Sequence, residues 1–141
     1  MVARADVGYE QRPEARIWAE PSYQAFRILH FGIAVMATIA GVDKFTNLLT
    51  DWAKYLSPAF AAVSPLSVQS TMYLVGLVEI VAGFLVALAP RVGGYVVACW
   101  LGGIILNLAL LGGVWDVALR DLGLMFGALA LARLAKLHHK L

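Results

Sequence analysis

Glu79 stands near the middle of an unbroken apolar run from Thr71 to Ala89. A charged group at the centre of a bilayer costs about 2.5–3.5 kcal/mol on insertion scales. In a spanning helix, Glu79 must therefore face other helices and find a cation or a donor there, or hold a proton. Few residues have the matching chemistry. Lys44 ends the first apolar run, Asn107 lies about one turn before the end of the third, and Arg120 and Asp121 open the fourth. Glu79 lies ten residues beyond Gln69, which is roughly 15 Å along a helix at about 1.5 Å per residue. Long side chains such as Lys44 and Arg120 reach inward from a helix end. The sequence thus predicts that Glu79 pairs with Lys44 or Arg120, with Asn107 as a hydrogen-bonding neighbour.

Two readings of this set stay open. Lys44, Glu79, Asn107, Arg120 and Asp121 form a buried network that fixes helix register. Alternatively, they line a small polar cavity for a quinone head group, a thiol compound or a proton path. The lack of a second deep acid weakens a proton relay. His30 lies about one turn inside the start of the first apolar run, whereas His138 and His139 stand in the tail. A bis-histidine haem needs two opposed ligands at membrane depth, so His30 is expected to be hydrogen-bonded or interfacial. Cys99, the single cysteine, rules out an internal disulfide or a CxxC relay within the chain. It is expected to be a small packing residue. The chain holds no HExxH, GxSxG, P-loop or CxxC motif. No covalent cofactor or metal site is expected.

The elements that must position these residues are helices. The 141 residues are 61% hydrophobic and 14% charged, against about a quarter charged in soluble domains. A spanning helix needs about 20 apolar residues. Four such runs are present, from Phe26 to Val42, Thr71 to Ala89, Val92 to Leu111 and about Val117 to Leu137. The very short links between the last three require antiparallel hairpins. The expected fold is all-α, an integral membrane up-down-up-down four-helix bundle with a short interfacial helix in the first outer loop. Residues 1–24 form a cytoplasmic arm, 25–137 the membrane bundle and 138–141 a cytoplasmic tail. The first 20 residues alternate charges and lack the apolar core of a cleavable signal.

Orientation follows from basic residues near the span ends. Arg4, Arg12, Arg16, Arg27, Arg91, Arg133, Lys136 and Lys140 fall on one side, and only Lys44, Lys54 and Arg120 on the other. Both termini are therefore expected in the cytoplasm. A net charge of +2 is too small to suggest nucleic acid. In the one long connection, Phe45, Leu48, Leu49, Trp52 and Leu56 recur at helical spacing. This predicts an amphipathic helix on the outer interface, with Trp52 at headgroup level. Ser57-Pro58 and Ser64-Pro65 are expected to break the chain. Gly94, Ala98 and Gly102, and Gly123 with Gly127, recur four apart; such rows let helix backbones approach closely. Intramolecular packing is the plain expectation, and a homo-oligomer face the other.

Three segments resemble the DoxX-like family of small bacterial four-span membrane proteins. GIAVMATIAGVDKF is similar to its glycine-rich first helix ending in G-x-x-K-F/L, here Gly41, Lys44 and Phe45. YLVGLVEIVAGFLVALAPRVGGY is similar to its G-x-x-E-x-x-x-G helix and basic turn, here Gly76, Glu79, Gly83 and Arg91. VALRDLGLMFGALALARL resembles its last helix, which opens on a polar pair, here Arg120 and Asp121. The resemblance covers roughly Arg27 to Leu134. It implies a four-helix bundle in the bacterial inner membrane, shaped like quinone-linked disulfide-forming proteins. It also implies association with thiosulfate:quinone oxidoreductases or with thiol and oxidative-stress systems. Since this chain lacks redox cysteine pairs, the resemblance points to an accessory membrane subunit working with other redox proteins, with a quinone as the ligand to expect. A structural or assembly subunit is the alternative. A small-solute transporter is a third, for which one four-span unit leaves little room.

Overall fold

A computed structural model of the chain describes residues 17–139. Most of the expected N-terminal arm and the last two residues lie outside the described residues. Five α-helices and one 3₁₀ turn follow in order: α1 (Pro21–Thr46), the turn Trp52–Tyr55, α2 (Pro58–Val63), α3 (Val68–Leu88), α4 (Pro90–Leu111) and α5 (Trp115–His138). The boundaries have local causes. Pro21, Pro58 and Pro90 each occupy a first helical position, where a missing N–H costs nothing and φ is already helical. Ser57 and Ser67 cap α2 and α3 by accepting from Phe60 N and Ser70 N. Asn47 ends α1 in the left-handed conformation, φ 50°, and Gly112 and Gly113 turn the chain between α4 and α5 with φ of 74° and 72°.

The four long helices alternate in direction. Gly41 meets Gly76 and Ile80, while Gly83, further along α3, meets Ala34 and Thr38, earlier in α1. Gly94 near the start of α4 meets Ala128 and Ala132 near the end of α5. Ser22 at the start of α1 reaches His138 at the end of α5. The most extensive packing is between α1 and α3 and between α4 and α5. The two pairs then join through lighter α3–α4 and α1–α5 contacts. Small residues set these approaches. A Cβ on Gly94 would fall 2.8 Å from Ala128 O, so α4 and α5 come together because nothing stands there.

The interior divides along the bundle axis. Phe26, Ala82, Val86, Val97, Ala98, Ala128, Leu131 and Ala135 form an apolar core in the half nearer the start of α1 and the end of α5. Among the described residues, the buried polar ones are Asp43, Lys44, Ser57, Glu79 and Asp121, all in or facing the other half. His30 lies in the apolar half and has its own task there. Pro90 has no N–H to give Val86 O, and His30 Nε2 lies 2.9 Å from Val86 O and 3.1 Å from Ala87 O. Since carbonyls only accept, His30 Nε2 is the protonated ring nitrogen and satisfies the open end of α3.

Three helices, α1, α3 and α4, are long and apolar enough to cross a membrane. The fourth run does form a helix of 24 residues, but Arg120, Asp121 and Arg133 interrupt its apolar character and it is not among those three. The first outer loop departs from expectation. The helical spacing of Phe45 to Leu56 does not produce an amphipathic helix, because Asn47 stops α1 and residues 47–51 run without helix. The helical pieces of this loop are the 3₁₀ turn and α2, separated by extended residues Leu56 and Ser57 and ended at extended Ser64, where the breaks were expected. Cys99 is exposed on the outside of α4 rather than packed within. Of the small-residue rows, Gly94 and Ala98 serve α4–α5 packing, Gly127 faces Leu29 of α1, and Gly123 has nothing within 4 Å.

Candidate functional site

At the loop end of the bundle the four long helices each contribute a polar or indole group to one place. Lys44 is in the last turn of α1, and Glu79 is halfway along α3. Of the two cations the sequence offers, Lys44 takes Glu79: Nζ lies 2.6 Å from Glu79 Oε2, with the two side chains 6% and 8% exposed. The approach depends on backbone proximity. Gly41 and Gly76, three residues before Lys44 and Glu79, sit face to face. Phe45 stacks on Tyr73 with ring centres 5.2 Å apart, closing the same seam. Lys44 Nζ also donates to Ala40 O at 3.4 Å and lies 3.8 Å from the centre of the Trp52 ring, a cation–π contact that replaces part of its lost hydration.

Arg120 does not reach Glu79. Its Nε and Nη2 donate to Asp121 Oδ1 at 3.2 and 3.1 Å, and its side chain is 61% exposed whereas that of Asp121 is 8%. The Asp121 carboxylate is therefore turned into the bundle. Asn107 also departs from its expected role. Its Oδ1 accepts from Ser57 N at 2.9 Å and its Nδ2 donates to Tyr55 O at 2.6 Å. It therefore clamps the outer loop to α4 and does not bind Glu79.

Four residues of the site escaped the sequence reading. Asp43 is buried. Its carboxylate accepts from Leu48 N, Leu49 N, Thr46 Oγ1 and, at 2.7 Å, Trp52 Nε1. An acid at a helix C-terminus opposes the helix dipole, and that misfit was the available signal that Asp43 has partners elsewhere. Trp52 is half-buried over Lys44. Ser57 is fully buried under Asn107. Trp100 on α4 is a neighbour of Glu79, and its buried indole nitrogen has no hydrogen-bond partner among the described residues. No spacing rule links Trp100 to Glu79, so only the packing of α3 on α4 identifies it.

The loop thus forms a cover over the ion pair, held by Asp43, by the Lys44–Trp52 contact and by Asn107. Below it, on the outer side of the α3–α4 seam, runs an apolar groove of about 420 Å³ lined by Val78, Ala82, Tyr95, Val96, Cys99 and Trp100. Trp100 belongs to both the groove and the surroundings of Glu79. A second apolar groove of about 260 Å³ lies between α1 and α3, along Ala34, Thr38 and Gly83. Among the described residues, no three His, Cys, Asp or Glu side chains are grouped to hold a metal ion. The arrangement can hold a charge pair out of water and place an indole ring beside a carboxylate. No protein-family model matches the chain, and neither a curated protein nor a solved structure matches it.

Proposed function

We propose that this chain is a four-span protein of the bacterial inner membrane, with both termini cytoplasmic, that serves as an accessory subunit of a quinone-linked or thiol-related redox system. The observation that carries the reading is the seam between α1 and α3. Gly41, Lys44 and Phe45 on one side and Gly76, Glu79 and Gly83 on the other carry the DoxX-like resemblance, and they pack together as one unit. Membrane residence is supported by the outward faces of α1, α3 and α4. Ile28, Phe31, Leu74, Leu77, Val81, Phe84, Val92, Leu106 and Leu110 are all exposed there. An apolar surface of that extent is unsuited to water. The helix α5 lies antiparallel along α4 and crosses with it. The exposed cations Arg27, Arg91, Arg133 and Lys136 gather at the end of the bundle where α1 begins and α5 ends, as the cytoplasmic side requires.

A quinone fits the site as a ligand in two respects. The α3–α4 groove is apolar along its length, which suits an isoprenoid tail. Trp100 forms one wall of that groove beside Glu79, an aromatic surface on which a quinone ring can stack. Purification in native lipid, followed by identification of bound quinones and co-purifying proteins, tests the reading. Redox subunits with bound quinone support it. A stoichiometric complex without quinone assigns the chain to the structural or assembly class instead. That second reading is favoured by the closure of the Lys44–Glu79 pair, in which two buried side chains satisfy one another at 2.6 Å. A symmetric homo-oligomer with a continuous polar path would indicate transport.

A further inference from the structure

The outer end of α1 stops short of its neighbour α3. Phe45, one residue from the end of α1, stacks on Tyr73, and Tyr73 stands five residues inside the start of α3 at Val68. At about 1.5 Å per residue, α3 therefore continues roughly 7.5 Å beyond the end of α1. Residues 47–51 occupy that gap and run without helix. Both ends of the segment are held near the level of Lys44. Asn47 directly follows α1, and Trp52 lies over the Lys44 ammonium. The most exposed side chains of the segment are apolar, Leu48 at 84% and Leu49 at 70%. They continue the apolar strip that Ile39, Val42 and Phe45 present on the outside of α1.

The backbone of this corner finds its partners inside the protein. Asn47 N donates to Asp43 O at 2.6 Å. Leu48 N donates to Asp43 Oδ1 at 3.0 Å, and Leu49 N to both carboxylate oxygens at 3.2 Å. Trp52 N is taken by Asn47 Oδ1 at 3.3 Å. A loop in water needs no such arrangement, because water satisfies its amides. Irregular backbone at membrane depth is tolerated only where its polar groups are satisfied from within. Asp43 is itself buried, 5% exposed, so its charge faces the amides and the Trp52 indole instead of the surroundings. One carboxylate thus stands in for the helical turn that α1 lacks.

We infer that Leu48 and Leu49 form a lipid-inserted corner, seated at the boundary of acyl chains and headgroups in the outer leaflet. The Asp43 carboxylate is the internal acceptor that lets non-helical backbone lie there. Lipid is the occupant of this surface because the corner continues the outward apolar strip of α1 and lies within the length of α3. The inference rests on the membrane reading above, and the test separates the two.

The full chain is reconstituted at low protein-to-lipid ratio in phosphatidylcholine–phosphatidylglycerol vesicles, with Cys99→Ala and a single nitrobenzoxadiazole label. The label is carried by Leu48→Cys or, for comparison, by Pro65→Cys in the exposed link before α3. Lipids brominated near the headgroup and aqueous iodide serve as quenchers. Position 48 is expected to be quenched by the brominated lipid and about fivefold less by iodide than position 65, as for a side chain about 5–10 Å into the boundary. Asp43→Asn should accelerate amide exchange at Leu48 and Leu49 about tenfold, the loss of one hydrogen bond to a charged group. The label at position 48 leaves Asp43 in place, so it tests the corner even where Asp43→Asn fails to fold.

Equal iodide quenching at positions 48 and 65 overturns the proposal. Quenching of position 48 by neither agent places protein over the corner and also overturns it. Unchanged exchange in a folded Asp43→Asn chain overturns the part assigned to the carboxylate. If the chain leaves the vesicles on alkaline washing, the membrane reading fails along with the corner. If it stays and position 48 is aqueous, only the lipid-inserted corner fails.

Discussion

Gly41 and Gly76 face each other so closely that a Cβ on Gly41 would lie 2.5 Å from Gly76 O, and one on Gly76 would lie 2.6 Å from Gly41 O. The contact is reciprocal and made of backbone, so neither partner can yield. It places Lys44 and Glu79, each three residues further on, at hydrogen-bond distance. The ion pair is therefore a product of glycine packing as much as of charge.

From this follows a contrast among glycines. Gly41→Ala or Gly76→Ala is expected to destabilise the bundle by about 1–3 kcal/mol, the range for overpacking a filled interior. Gly123→Ala, with nothing within 4 Å, should stay within about 0.5 kcal/mol of the parent. Unfolding in mixed detergent micelles measures both. Equal effects at Gly41 and Gly123 would contradict the close α1–α3 approach.

The pair itself predicts a non-additive mutant cycle. Glu79→Leu alone leaves the Lys44 ammonium buried without its anion, at an expected cost of about 3–5 kcal/mol. Glu79→Leu combined with Lys44→Met removes both charges and should recover most of that loss. Additive single and double effects would mean that the two side chains do not share an environment.

Asn107 should control the loop and leave the ion pair intact. Asn107→Leu deprives Ser57 N and Tyr55 O of their partners, costing about 1–3 kcal/mol for buried groups left unpaired. Amide exchange at Ser57 is expected to accelerate. The Glu79–Lys44 cycle should keep its coupling energy in that background. Unchanged exchange at Ser57 would show that another contact holds the loop.

Topology has a direct measurement. Reporters fused after the last residue and within the loop from Ser57 to Ser67 are expected on opposite sides of the membrane, the first in the cytoplasm. Both on one side would exclude an odd–even arrangement of crossings and remove the basis for placing Lys44 and Asp43 at the outer end.

Read alone, the sequence determined the all-helical class, the approximate limits of the four long helices and Glu79 as the residue demanding a partner. These are decided by unbroken apolar length and by the cost of a carboxylate in such a run, which are local quantities. It also narrowed the partner to two cations without choosing. That choice belongs to the tertiary structure, because it depends on how closely α1 and α3 approach, and the approach is fixed by Gly41 and Gly76 on different helices. The outer loop was misread for a related reason. Phe45 to Leu56 has helical spacing, but Asp43 binds the Leu48 and Leu49 amides and Trp52 Nε1, so side-chain hydrogen bonds outcompete a helix there. Asn107 and Trp100 were likewise settled by packing. Each lies on α4, and its partner lies on a segment more than 20 residues away, a separation that no periodicity in the chain encodes.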